Sequence, residues 1–135
     1  MERAADLKTK RIMLSSANQQ EEGFIVESMN NFPCDDLKTL DQLWLKYSDG
    51  KFGFSVQNDI FQSLGGTREH DFAIADEFGN KVGWKEGESW LRYEDIIFDL
   101  SAPEGHLPLS VSYNCWPWCG NVREAVYYRA EACDL

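Results

Sequence analysis

The sequence has few cations. Lys and Arg number 13 against 23 Asp and Glu, giving a formal net charge of −10 over 135 residues. Sequence-independent grip on a phosphate backbone needs a basic surface, so that activity is excluded. Docking on an anionic membrane is disfavoured for the same reason. No apolar run approaches the roughly 20 residues of a membrane-spanning helix. The opening stretch Met1-Glu2-Arg3-Ala4-Ala5-Asp6 is charged rather than signal-like, so the chain is expected to stay where it is made. Imidazole is scarce, with only His70 and His106. No His-Glu-x-x-His, glycine-rich phosphate loop or Gly-x-Ser-x-Gly occurs. The adjacent acids Asp35-Asp36 and Glu94-Asp95 suit helix starts better than a catalytic pair. Little therefore supports an enzyme.

The four cysteines, Cys34, Cys115, Cys119 and Cys133, do not look like a disulfide framework, because Cys34 lies far from the others and no secretion signal accompanies them. They are expected to be reduced thiols. Cys115 and Cys119 lack the second pair or nearby His that a zinc site needs. Of four prolines, Pro103, Pro108 and Pro117 fall in the last third, which places irregular chain there. There is no repeat and no Pro/Gly/Ser-rich linker. One domain over residues 1–135 is expected, large enough to bury a core unaided.

What the chain has in quantity is aromatic residues: five Trp, five Tyr and eight Phe. Residues 4–17 read as a helix, with Leu7, Met13 and Leu14 on an apolar side and Lys8, Lys10 and Arg11 on a basic one. In 36–48, Leu37, Leu40, Leu43, Trp44 and Tyr47 recur at helical spacing. A helix from Ser55 to Leu64 is preferred to a strand, with Ser55 as N-cap and Gly65-Gly66 as stop. A short helix over 69–78 would close at Gly79-Asn80. The aromatic segments 82–85 and 89–93 pattern as a β-hairpin about Glu86-Gly87. Residues 96–100 are a buried run, 102–108 a loop, and 122–132 a closing helix. The pattern taken by itself says α+β.

Four blocks carry a more specific signal: Asn31-Phe32-Pro33-Cys34-Asp35-Asp36-Leu37 continuing to Trp44; Gly50-Lys51-Phe52-Gly53-Phe54-Ser55-Val56-Gln57; Val82-Gly83-Trp84 with Trp90-Leu91-Arg92-Tyr93; and Phe98-Asp99-Leu100-Ser101-Ala102-Pro103-Glu104-Gly105-His106-Leu107-Pro108. In this order and spacing they resemble the genomes-uncoupled-four domain, the tetrapyrrole-binding regulators of magnesium chelatase in oxygenic phototrophs. The resemblance covers residues 4–108 well and the tail loosely. It implies a mainly α fold: a single compact helical domain shaped as a cupped hand, with long irregular loops, overriding the hairpin. It implies noncatalytic binding of a tetrapyrrole: protoporphyrin IX, its magnesium complex or a bilin such as biliverdin. The implied partner is the chelatase large subunit, and the implied place is the cytoplasm, or the plastid stroma if a transit peptide has been removed. Nothing in the sequence demands more than a monomer.

A porphyrin is a flat apolar disc with two carboxylates on one edge. Burying about 300 Å² of its face is worth several kcal/mol, and its carboxylates call for local Lys or Arg. On the resemblance, the palm is formed by Val26, Met29, Phe32, Tyr93, Ile96 and Phe98. Of these, Phe32 and Phe98 equally suit ordinary core packing, whereas Met29 and Tyr93 lean to ligand contact. Lys10 matches the basic residue of the first helix that meets a ligand carboxylate, and Arg92 is a second cation; solvated surface is the plain alternative for both. His106, in Gly-His-Leu-Pro, is expected to be a buried hydrogen-bonding residue rather than an axial ligand. The chain departs from the family in two places. It starts inside the family's opening helix, and its 109–121 loop lacks the Asn and Arg side chains of chelatase-associated members. That loop offers Tyr113, Trp116 and Trp118 as an aromatic lid or a hydrophobic plug, and Cys115 or Cys119 as a thiol for covalent bilin attachment. The changed loop also motivates a rival reading, a sensory or scaffold domain that has kept the fold and lost the pigment.

Overall fold

A computed structural model describes residues 2–16, 29–67, 71–109 and 122–135. The fold is mainly helical, as the resemblance implies: 60% of the described residues are helix and 4% strand, in one compact domain. The helices are α1 (Glu2–Ser16), α2 (Cys34–Ser48), α3 (Phe54–Ser63), α4 (Phe72–Val82) and α5 (Val122–Ala132). Among the described residues, none of them is long and apolar enough to cross a membrane.

The inward face of α1 differs from the expected apolar side. Asp6, Thr9 and Met13 are buried at i, i+3 and i+7, while Leu7 is partly exposed. Two polar groups turn inward because they have partners there. Thr9 Oγ1 donates to the Ala5 carbonyl at 2.8 Å and accepts the buried Trp44 indole N–H at 3.0 Å.

Helix α2 begins after Pro33, with Asp35 and Asp36 in its first turn, where the helix dipole favours acids. It ends at Asp49 in the left-handed region, followed by Gly50. Leu37, Leu40, Asp41, Trp44 and Ser48 face inward. Leu43 and Tyr47, expected on that stripe, are 60% and 46% exposed. Asp41 takes an inward place because it caps the next helix. Its Oδ1 accepts the Ser55 N–H at 2.8 Å, so the cap of α3 comes from α2 and not from Ser55. Gly53 makes this possible: it has φ +142°, and a Cβ there would lie 2.8 Å from Asp41 Oδ1.

Asp71 caps α4 by accepting from the Ala73 and Ile74 N–H groups. The helix runs past the expected stop at Gly79-Asn80 and ends at Gly83, in the left-handed region. Gly79 serves close packing instead, since a Cβ would meet the Trp90 ring at 2.6 Å. The hairpin read from the pattern survives as one short ladder, β1 (Lys85–Glu86) against β2 (Ser89–Trp90), turned at Gly87. The resemblance had overridden it. A 3-10 turn follows at Tyr93–Asp95.

Helix α3 packs on α4 and α5. Between them lies an aromatic cluster: Phe61 and Phe78 each stand 5.1–5.4 Å from the Tyr127 ring, and Phe78 meets Trp84 edge-on at 5.5 Å. The expectation of reduced thiols is corrected for two of the four cysteines. Cys34 at the start of α2 and Cys133 after α5 form a disulfide, with Cα atoms 5.4 Å apart across a sequence separation of 99. That separation hid the pair, because only packing of α5 against α2 brings the ends together. Cys115 and Cys119 lie outside the described residues.

Candidate functional site

Two polar centres hold the irregular 82–109 stretch against the helices. In the first, Gln57 Nε2 on α3 donates to the Gly105 carbonyl at 3.0 Å and the Pro108 carbonyl at 2.7 Å. The Gly53 N–H donates to the Leu107 carbonyl at 3.0 Å, and the Trp84 indole N–H to the His106 carbonyl at 2.7 Å. The Leu107–Pro108 peptide is cis. His106 is fully buried, as expected. Its Nε2 accepts the Ile97 N–H at 3.1 Å, so Nδ1 carries the proton and donates to the Val82 carbonyl at 2.6 Å. Burial holds its pKa below the usual imidazole value, opposed by the Val82 bond and the Asp99 charge. With both nitrogens engaged, this ring is framework rather than an axial ligand.

The second centre lies between α1 and the 93–109 stretch. Asp6, 3% exposed, accepts the Leu109 N–H on Oδ1 at 2.6 Å and the Tyr93 hydroxyl on Oδ2 at 3.3 Å. Burial pushes its pKa up to about 7, outweighing the Leu109 and Tyr93 hydrogen bonds and the charge of Lys10. Tyr93 is half-buried and packs on Phe98, their rings 5.3 Å apart and tilted by 51°. Lys10 stands one turn beyond Asp6 on α1 and is also half-buried. Ile97 and Leu100 on the same irregular stretch, and Leu7 on α1, are exposed apolar side chains. An aromatic pair near a lysine suits a flat apolar molecule that carries an acid group.

The residues expected at the site fall into three groups. Lys10, Tyr93 and Phe98 are drawn together through Asp6 and the ring contact. Met29 and Phe32 are fully buried and Ile96 is 5% exposed, so these three sit in the core. The Phe32 carbonyl is held by Arg129 Nε on α5 at 2.8 Å, which ties that wall down. Arg92 points outward, its side chain 84% exposed and 3.7 Å from Asp95 Oδ2. Val26, Tyr113 and Trp116 lie outside the described residues, as do Trp118 and His70. Asp6 was missed. Its only sequence signal is a position three residues before Thr9 and seven before Met13, which becomes a buried face once Trp44 and Tyr93 are known to meet it.

A family model described as GUN4-like matches residues 2–123. The Ycf53-like protein of Synechocystis sp. (strain ATCC 27184 / PCC 6803 / Kazusa) is 39% identical over 94 residues, covering 69% of this chain and 37% of that protein. The chloroplastic tetrapyrrole-binding protein of Arabidopsis thaliana is 30% identical over 121 residues, covering 80% of this chain and 43% of that protein. The chain thus spans less than half the length of these relatives. The ligand-free structure of Arabidopsis thaliana GUN4 superposes with a TM-score of 0.73 at 26% identity, over 93% of this chain and 81% of that one. GUN4 from Chlamydomonas reinhardtii shares the fold, with a TM-score of 0.74 at 24% identity over 93% and 76% of the two chains.

Proposed function

Since this chain belongs to the GUN4-like family, we propose that it binds a tetrapyrrole without transforming it and serves tetrapyrrole synthesis or pigment sensing. The observation that carries this reading is the juncture of Asp6 with Tyr93, which sets the half-buried Tyr93–Phe98 pair beside the helix bearing Lys10. Tyr93 and Phe98 offer the pigment's face an aromatic wall. Lys10 offers one of its carboxylates a point charge, without the two-pronged geometry that Arg would give. On a chain of net charge −10 that cation matters locally, because the overall field opposes a dianion. Met29, Phe32 and Ile96 belong to the buried core against which Tyr93 and Phe98 pack. Val26, Tyr113 and Trp116, outside the described residues, remain candidate pigment contacts on the resemblance alone, and Arg92 would act as an outer cation. The pigment is protoporphyrin IX, its magnesium complex or a bilin. Magnesium chelatase is the partner to which such a module would present it, in the cytoplasm or plastid stroma. The name of the Arabidopsis relative supports the ligand class.

Titration of the chain with protoporphyrin IX, magnesium protoporphyrin IX and biliverdin tests the reading, followed by tryptophan quenching and the pigment's absorbance. Saturable binding at micromolar or tighter affinity is expected. Tyr93→Ala should weaken it about tenfold or more, the worth of one lost aromatic wall. Met29→Asp is no test, since it places a carboxylate in the core. A folded chain silent toward all three pigments would overturn the reading and favour a scaffold role.

A further inference from the structure

Asp6 is a carboxylate buried where burial disfavours its charge. It touches three separate stretches: its own helix, the Tyr93 turn and the chain at Leu109. Two of the residues assigned above to the pigment, Lys10 and Tyr93, are the two whose side chains act on it. Resting on that reading, we propose that Asp6 is a positioning residue that orients Tyr93 and, by taking up a proton as the pigment binds, releases the Lys10 charge to the pigment's carboxylate.

The physical reason is competition. Asp6 and a pigment carboxylate are two anions beside one ammonium group, in a place where burial already disfavours charge. Protonating Asp6 removes the conflict, and the hydroxyl so formed can still bond Tyr93 while the other oxygen accepts from Leu109. Near neutral pH the change costs little, because burial has brought the group to about 7. Among the described residues, the groups that act on Asp6 are the Lys10 ammonium, the Tyr93 hydroxyl and the Leu109 N–H, with Lys10 the only charge. The sign follows. A bound anion raises the pKa of Asp6 further, so binding takes up a proton when the pH is above about 7. Affinity is level below that point and falls above it, by at most about tenfold per pH unit for one proton.

The test measures protoporphyrin IX affinity from pH 6 to 9 at fixed ionic strength, in the wild type, Asp6→Asn and Tyr93→Phe. Expressing each variant relative to wild type cancels changes in the free pigment. Asn keeps an acceptor for Leu109 and a donor for Tyr93 but cannot titrate, so its profile should be flat where the wild type falls. Tyr93→Phe removes a bond to the charged form, so its fall should begin at higher pH. Calorimetry of the wild type in buffers of different ionisation enthalpy should show uptake of up to one proton at pH 8. A wild type that binds with no pH dependence, or a slope that survives in Asp6→Asn, overturns the proposal and leaves pigment binding standing. An unmoved midpoint in Tyr93→Phe overturns it even if Asp6→Asn does not fold. Absence of binding at every pH overturns both.

Discussion

Gln57 and Asp6 are both polar, both buried, and both reach across to the 105–109 stretch, yet they meet opposite conditions there. Gln57 is neutral and its amide is matched: two carbonyls for its N–H groups, and the Tyr127 hydroxyl at 3.4 Å from its oxygen. The neighbouring His106 is matched likewise, kept neutral by burial and bonded through both nitrogens. Asp6 has good partners as well, but burial outweighs them and the group is left close to titration. The framework centre uses neutral groups whose N–H donors are all engaged, which fixes a geometry. The α1 centre uses an ionisable group in a site that disfavours its charge, which leaves a response to protons and anions.

The sharpest way to break this contrast is the pH dependence of stability. Asp6 rises from 3.8 in the unfolded chain to about 7 in the folded one, so the folded state binds the extra proton. Its contribution is fully present below the unfolded value and lost as pH rises through the folded one. The span corresponds to a loss on the order of 4 kcal/mol between pH 4 and 8. Urea unfolding should therefore show Asp6→Asn gaining on wild type across that range, and a difference that stays constant would erase the contrast. Gln57→Leu should cost about 3 kcal/mol at any pH, because it orphans the Gly105 and Pro108 carbonyls. A loss below about 1 kcal/mol would mean that the framework tolerates unmatched groups after all. His106→Gln should cost about 1 kcal/mol at pH 8, since a donor and an acceptor remain. A second effect lies in acid. The folded pKa of His106 is depressed, so its contribution is present above the unfolded value and disappears as pH falls through the folded one. The variant should lack that acid limb, opposite in direction to the limb that Asp6→Asn removes.

Much of the helical framework was legible because it obeys local rules. Leu37, Leu40 and Trp44 announced α2, and the Gly65-Gly66 stop bounded α3. Errors arose where a residue answers to something distant. Gly79 reads as a helix stop but exists to admit Trp90. Ser55 reads as a cap, yet the capping oxygen belongs to Asp41 on another helix. Cys34 and Cys133 read as unrelated thiols until α5 returns to α2. Of the site, Lys10, Tyr93 and Phe98 came from the family resemblance; helical patterning placed Lys10 only on a basic side of its helix and did not single out Tyr93 or Phe98. Asp6 was invisible, since an acid in the first turns of a helix is ordinarily a solvated residue near the positive end of the dipole.

The sequence by itself determined the acidic surface and the family blocks and, through those blocks, the expectation of a mainly helical fold and a buried His106, because charge and motif are properties of neighbours along the chain; its periodicity alone read α+β. Only the tertiary structure decided that Asp6 is buried against Tyr93 and Leu109 and that Met29 and Phe32 belong to the core. Only it decided that the start of α2 and the residue after α5 meet in a disulfide. Burial, and the pKa that follows from it, depends on which distant surfaces close over a residue, and spacing along the chain does not encode that.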